Sequence, residues 1–318
     1  MTHKVIGIGN NKTLKSSMEK FLECGFKVQC IISLEDRLLP ENSFNLEAFA
    51  NKINCEFIRV SDINLKKNLR IIKNYKTDII FSIWPKLLSK HLISIPKIGV
   101  IGSHPTPLPF NRGRHPIHWQ ITQFIKNSKL TFFLMDKGID SGKIILKLPY
   151  KINFHDNIDD INKKIENLNQ LAVTKIVKKI SNNNFFKNLE LQNNKEANYW
   201  RKKSKHDVLI DFRMNANIIS SIIRSFSPPY SCAFFIYDQY IFHVSSIKIL
   251  SFRKLVLKNI EPGKIIQIKK NKLIIKCLDK IIELKIIEND FNNIKFTRYI
   301  EPPSKYLTKY KKLSKLLN

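Results

Sequence analysis

Two side chains that can move a proton stand where strand-like runs end. His104 lies in "IGSHPTPLPFNRGRHPIHWQI" (Ile101–Ile121), and Asp140 lies in "GIDSG" (Gly138–Gly142). Pro105, Pro107 and Pro109 fix their own φ and bias each residue before them away from helix. The result is a stiff loop able to hold an imidazole in place. Gly138 and Gly142 flank Asp140 in a turn expected at the end of the neighbouring strand. A carboxylate beside an imidazole fixes its tautomer and favours its protonated form. A base with its orienter is the arrangement of acyl-transfer sites. Spacing alone leaves a second reading open, in which His104 caps a loop and Asp140 only makes a turn. Arg112 and Arg114 flank Gly113 on the same loop, and guanidiniums grip phosphate or carboxylate bidentately.

The surrounding elements must bring these groups together. Lys4–Ile8, Phe26–Ser33, Glu56–Val60 and Asp78–Ile83 read as strands, and "IGVIGSH" ends another at His104. Between them, Leu14–Cys24 has apolar residues at helical spacing with Gly25 at the C-cap, and a helical pattern surrounds Leu65–Asn74. The alternation predicts an α/β fold: a Rossmann-like, mostly parallel sheet with helices on both faces. Ligands of such sheets bind beyond the carboxyl ends of the strands, where His104 falls. Gly7-Ile8-Gly9 lacks the third glycine of a dinucleotide fingerprint. "KLTFFLMDKGIDSGKIILKLPYKI" reads as strand, Gly-bearing loop and strand, and Asp156–Ser181 as a long helix. After "NNKEANYWRKKSKHD" the pattern changes to short strands: "CAFFIY", "YIFHVSSIKIL", "KIIQI", "KLIIKC" and "KIIELKII". These predict a small β-barrel-like C-terminal domain. The expected division is a catalytic domain over 1–190, a connector over 191–206 and a β-rich domain over 207–318.

Composition bounds the partners. The net charge of +29 comes from 45 Lys and 10 Arg, with the Lys scattered among Asn and Ile along the whole length. Diffuse charge of this kind is a solvated surface rather than a nucleic-acid groove. Cys24, Cys30, Cys55, Cys232 and Cys277 are odd in number and form no CxxC pair. That argues against disulfide staples and a Cys-based zinc site, and suits a reducing, cytoplasmic location. No apolar run nears the roughly 20 residues of a membrane helix, and "MTHKVIGIGNNK" lacks a signal-peptide layout.

"SHPTPLPFNRGRHPIHWQI" followed by "TFFLMDKGIDSGKII" resembles the signature of the formyltransferases that use N10-formyltetrahydrofolate. That signature is N-x-H-x-S-L-L-P-x-x-R-G, then a strand and M-D-x-G-x-D-[ST]-G. Looser similarity covers most of the chain, including "DVLIDFRMNANIISSIIRSFSPPYSCAFF" and "EPGKIIQIKKNKLIIKC" before and within the C-terminal domain. The resemblance implies formyl transfer from the folate to a primary amine, with His104 as general base and Asp140 as its carboxylate. One position departs from the pattern: the family's Asn is Gly102 here. An oxyanion donor would then come from the Ser103 hydroxyl, from a backbone N–H freed by Gly102, or from protonated His104. An impaired enzyme, or a non-catalytic folate- or nucleotide-binding relative, is the alternative that Gly102 supports.

By the same resemblance "SIWPKLLSK" (Ser82–Lys90) is the folate-binding loop, with the backbone of Pro85, Lys86, Leu87 and Leu88 against the pterin. Asp136 and Gly138 border that pocket from the other side. Arg114 is the expected acceptor-binding residue, Arg112 a structural one, and Arg201 a further candidate for an anionic group. Trp119 is expected to pack on the following helix. His91, His115, His118, His206 and His243 show no partner in sequence. The expected acceptor is a nucleotide-linked amino sugar, with initiator tRNA second. "SLEDRLLPENSFN", with three acids and one Arg, stands where the tRNA enzymes carry a long basic loop. The expected partners are therefore small molecules, with a homodimer as the assembly to test and no membrane.

Overall fold

A computed structural model describes residues 2–182, 184–237, 240–251, 259–287 and 299–305. In chain order the elements are β1 (Lys4–Gly9), α1 (Lys12–Glu23), β2 (Lys27–Leu34), α2 (Leu46–Lys52), β3 (Glu56–Val60), α3 (Lys66–Asn74), β4 (Ile79–Ile83) and α4 (Lys90–Ile93). There follow β5 (Gly99–His104), β6 (Arg112–Gly113), α5 (Pro116–Thr122), β7 (Asn127–Leu134), β8 (Ile144–Lys151), α6 (Ile158–Ser181) and β9 (Tyr199–Trp200). The remainder are α7 (Ala216–Ser225), β10 (Ala233–Tyr237), β11 (Tyr240–Leu250), β12 (Ile265–Lys269), β13 (Lys272–Lys276) and β14 (Ile281–Ile286).

Seven strands form one sheet in the order β3-β2-β1-β4-β5-β7-β8. The first five run parallel and β7 is antiparallel to both its neighbours. Parallel strands covered on both faces read as near-continuous apolar runs, and β1 and β4 are buried almost throughout. Alternation along each strand sends Ile6, Ile80 and Val100 to the face covered by Ile72 of α3 and Leu92 of α4. Phe81 points the other way, where its ring meets Phe21 of α1 at 5.8 Å and Phe132 at 6.3 Å. The helices thus cover both faces, as the alternation predicts.

At the amino ends of β1 and β4, the Asp78 carboxylate accepts the Lys4 N–H at 2.8 Å and pairs with Lys97 at 3.0 Å. Burial pushes this carboxyl up, but Lys4, Lys97 and His3 outweigh burial and hold it below its usual value. A depressed folded value means the stabilisation is full above the unfolded value near ~3.9 and disappears as pH falls through the folded one. Asp78→Asn should therefore lower unfolding stability by about 1–2 kcal/mol at pH 7. In urea titrations the gap from wild type should close as pH drops below about 4.

A second sheet is antiparallel, β10-β11-β14-β13-β12, and packs with α7 around Ile219, Ile223, Phe235, Phe242, Leu273 and Leu284. Its strands fall where the short apolar runs predict them; α7, which those runs do not signal, buries Ile219, Ile222 and Ile223 at helical spacing.

The chain divides into two compact units, each assembled from more than one stretch of sequence. The first reaches Pro116 and takes in Lys126–Ile152 and Ile161–Arg201; the second holds Ile117–Ile125, Asn153–Asp160 and the residues from Lys202 on. Residues 306–318 of the expected C-terminal domain lie outside the described ones. Side chains explain the division. Buried His118 meets the Ser225 carbonyl through Nδ1 at 2.6 Å and lies against the rings of Phe226 and Tyr230. Trp119 carries Lys203 over its ring at 3.7 Å, a cation–π contact. Arg224 donates to the Asp156 carbonyl at 2.6 Å.

Candidate active site

His104 ends β5 and is buried, 6% exposed. Residues 80, 82, 100, 102 and 104 share one face of the sheet by register and alternation. The ring Nε2 lies 2.9 Å from the Asn111 carbonyl; a carbonyl only accepts, so Nε2 bears a proton. Nδ1 faces Asp140 Oδ2 at 3.6 Å. Asn111 is itself held by Asn198, whose Oδ1 accepts the Asn111 N–H at 2.8 Å and whose Nδ2 donates to Asn111 Oδ1 at 2.9 Å.

Asp140 reaches His104 by a route the sequence does not suggest. Because β7 is antiparallel, Leu134 lies opposite Ile101 and Thr131 opposite His104, so the strand ends pointing away from the histidine. Loop 135–143 folds back over the sheet face to return Asp140 to it. Gly142 makes the fold-back feasible, since a Cβ there would overlap the Leu134 carbonyl. Asp140 sits at φ +50, a left-handed conformation that Asp and Asn tolerate best among residues with side chains. Its Oδ2 also accepts the Gly113 N–H at 2.9 Å. Asp136 closes the start of the loop through Gly138 N–H (2.9 Å) and Ser141 Oγ (2.6 Å).

Gly102 lies inside both ladders, opposite Ser82 and Phe133, so its backbone groups belong to the sheet. A Cβ there would come within 2.5 Å of Met135 Cε and 3.2 Å of Phe133 Cζ. Met135 thus fills the space in which an Asn side chain would start. Ser103, adjacent to His104 in the strand, points to the opposite face, the one lined by Phe81 and Phe132. The structure does not bring its hydroxyl to the pair. The third expected donor, protonated His104, has one ring nitrogen on the Asn111 carbonyl and the other facing Asp140 Oδ2.

The loop after β4 places Pro85 beside the histidine loop: its carbonyl accepts Arg114 Nη1 at 2.7 Å. Leu87 is exposed and Leu88 is buried in the core. Asn64 holds the loop, donating to the Leu87 carbonyl at 3.0 Å and accepting the Ser89 N–H at 2.7 Å. Among the described residues no protein acceptor takes the backbone N–H groups of Lys86, Leu87 or Leu88. Three successive free donors fit a heterocycle with acceptor edges, such as a pterin.

Arg112 is 1% exposed and structural, as expected. Its guanidinium donates to Gln192 Oε1, Asn194 Oδ1 and the Tyr199 hydroxyl at 2.7–3.2 Å. β6 pairs with β9, and Gly113, at φ +103, leaves no room for a Cβ against the Trp200 carbonyl. Residues 191–201, read as a connector, therefore belong to the site's framework; their Asn and Gln content hid this. Arg114 and Arg201 are both exposed, Arg201 at the end of the first unit. Burial pushes the Cys30 and Cys55 thiols up to about 12 and about 11, so neither supplies a thiolate nucleophile. Among the described residues no helix is long and apolar enough to cross a membrane.

Comparisons with known proteins converge on one family. Residues 26–177 match Formyl transferase, and residues 202–295 match Formyl transferase, C-terminal domain. The bifunctional polymyxin resistance protein ArnA of Wigglesworthia glossinidia brevipalpis is 29% identical over 311 residues, 93% of this chain and 46% of that protein. The chain thus spans about half of that relative's length. Methionyl-tRNA formyltransferase of Caldanaerobacter subterraneus subsp. tengcongensis is 24% identical over 297 residues, 90% of this chain and 92% of the relative. Among solved structures, the N-formyltransferase from Helicobacter canadensis in complex with folinic acid and dTDP-3-aminofucose shares the fold, with a TM-score of 0.65 at 18% identity over 90% of this chain and 100% of that one. With a buried imidazole–carboxylate pair at the motif positions and both domains matched, the chain belongs to the formyl transferase family, whose formyl donor is N10-formyltetrahydrofolate.

Proposed function

We propose that this chain transfers a formyl group from N10-formyltetrahydrofolate to the primary amine of a nucleotide-linked amino sugar. The observation that carries the reading is the pairing of His104 Nδ1 with Asp140 Oδ2 at 3.6 Å beside a loop with free backbone donors. The folate supplies an activated formyl carbon. The chain's residues manage the proton. An attacking amine must lose one, and His104 accepts it at Nδ1, because Nε2–H is committed to the Asn111 carbonyl. The charge so created on the ring lies against the Asp140 carboxylate. The proton taken at Nδ1 is then returned to the folate nitrogen from which the formyl carbon departs, so that the transfer balances.

Arg114 supports a phosphate-bearing acceptor. It is exposed on the rigid loop and tied to the donor loop through Pro85, and the Helicobacter canadensis enzyme was solved with a dTDP-linked amino sugar. Arg114→Ala should raise KM for a nucleotide-sugar acceptor about tenfold, the scale of one charged hydrogen bond. Initial-rate measurements should show KM for the folate changed by less than about threefold.

Initiator tRNA remains the second reading, favoured by the methionyl-tRNA formyltransferase likeness. The acids of residues 33–45 oppose RNA less than their number suggests, because Arg59 pairs with Asp36 at 3.1 Å. Purified protein incubated with N10-formyltetrahydrofolate and either a panel of nucleotide-linked amino sugars or charged initiator tRNA separates the two. Tetrahydrofolate release with a sugar supports the first reading; turnover with tRNA alone rejects it.

A further inference from the structure

We infer that Gln192 is a positioning residue, setting the Asp140 carboxylate against His104 without touching either reacting group. The inference rests on the formyl-transfer reading for its kinetic arm only. Gln192 Nε2 donates to the carbonyls of Asp140 (2.9 Å) and Gly142 (2.7 Å). Its Oε1 accepts from Arg112 Nε (3.2 Å) and Nη2 (2.7 Å). A primary amide has two hydrogens and two lone pairs, and here all four are used. Turning the amide over would set its NH2 against the guanidinium and its oxygen against two carbonyls. One orientation is therefore enforced.

Among the described residues the hydrogen-bond partners of the Arg112 guanidinium are neutral oxygens, of Gln192, Asn194 and Tyr199. A buried cation at one end of the Gln192 amide polarises it and strengthens what the other end donates. The two carbonyls it grips bracket Ser141, in the loop that carries Asp140 at φ +50. A left-handed residue on a folded-back loop needs an external hold, and Gln192 supplies it. The segment is itself anchored, by the Glu190–Ile144 backbone pair at 2.8 and 3.0 Å on one side and by the β6–β9 pairing on the other.

Gln192→Glu separates this role from mere bracing. It keeps an acceptor for Arg112 and removes the donor to the 140–142 loop. Three backbone N–H groups report the outcome by hydrogen exchange. Gly113 donates to the Asp140 carboxylate, whereas Arg112 and Arg114 donate to the carbonyls of Asn198 and Trp200. The expected result is protection at Gly113 lowered about tenfold with Arg112 and Arg114 unchanged. In the active enzyme kcat should drop about 10²-fold with both KM values within about threefold. Unchanged protection at Gly113 overturns the inference. So does loss at all three amides together, which marks a purely structural strap. Wild-type protein that turns over no acceptor, with the exchange pattern as expected, refutes the proposed function and leaves the positioning role standing. If Gln192→Glu fails to fold, Gln192→Ala is read by the same three amides.

Discussion

His104→Ala is expected to lower kcat by about 10²–10⁴, the range for losing a positioned general base, while Kd for folinic acid changes less than about threefold. The size follows from how few groups can take the proton. The Asp140 carboxylate is engaged by the Gly113 N–H, the Ser103 hydroxyl lies on the other face of the sheet, and burial pushes the Cys30, Cys55 and Cys277 thiols up, away from the thiolate. The imidazole is also pre-set, because Asn111 and Asn198 fix its Nε2 side, so no rotamer search precedes reaction. Binding should survive because the proposed folate contacts come from the backbone after Pro85. Single-turnover rates alongside calorimetric folate binding test this; a variant retaining more than a tenth of wild-type kcat would refute the assigned base.

Asp140→Asn should cost about 10²–10³ in kcat and little in stability. Asn tolerates the left-handed backbone at this position, and its Oδ1 can still accept the Gly113 N–H, so the loop should keep its shape. What disappears is the negative charge facing Nδ1. In triad enzymes the same substitution costs about 10⁴ where the carboxylate hydrogen-bonds the ring. Here the contact is an ion-pair distance of 3.6 Å, so a smaller loss is expected. Thermal melts should agree within about 2 °C, and a kcat equal to wild type would leave Asp140 as a turn residue only.

Much of this was legible in the sequence, for identifiable reasons. The β-α-β alternation shows because parallel strands buried on both faces cannot hide their apolar runs. Prolines around His104 and glycines around Asp140 mark the two candidates, because they are local demands of local geometry, but it is the resemblance to the formyltransferase signature that joins them as a pair. The reversal of β7 relative to β5, and the fold-back of loop 135–143 that compensates for it, left no such mark. Ser103 is instructive: as the neighbour of His104 in an extended strand it had to face away, and period-two alternation alone could have said so. Residues 191–201 were unreadable for a different reason. Gln192, Asn194 and Asn198 act on partners some 50 to 87 positions away, and long-range amide contacts have no period. An Asn-rich stretch looks the same whether it links domains or braces a site.

The division of the chain constrains how such proteins can be recombined. Since Ile117–Ile125 and Asn153–Asp160 pack with the residues from Lys202 on, the polypeptide passes between its two units more than once. A swap of the C-terminal portion between homologues, cut where the second family match begins at 202, would strand those two stretches among foreign neighbours. Grafts that carry them along, His118 and Trp119 included, keep those stretches with the residues they pack against.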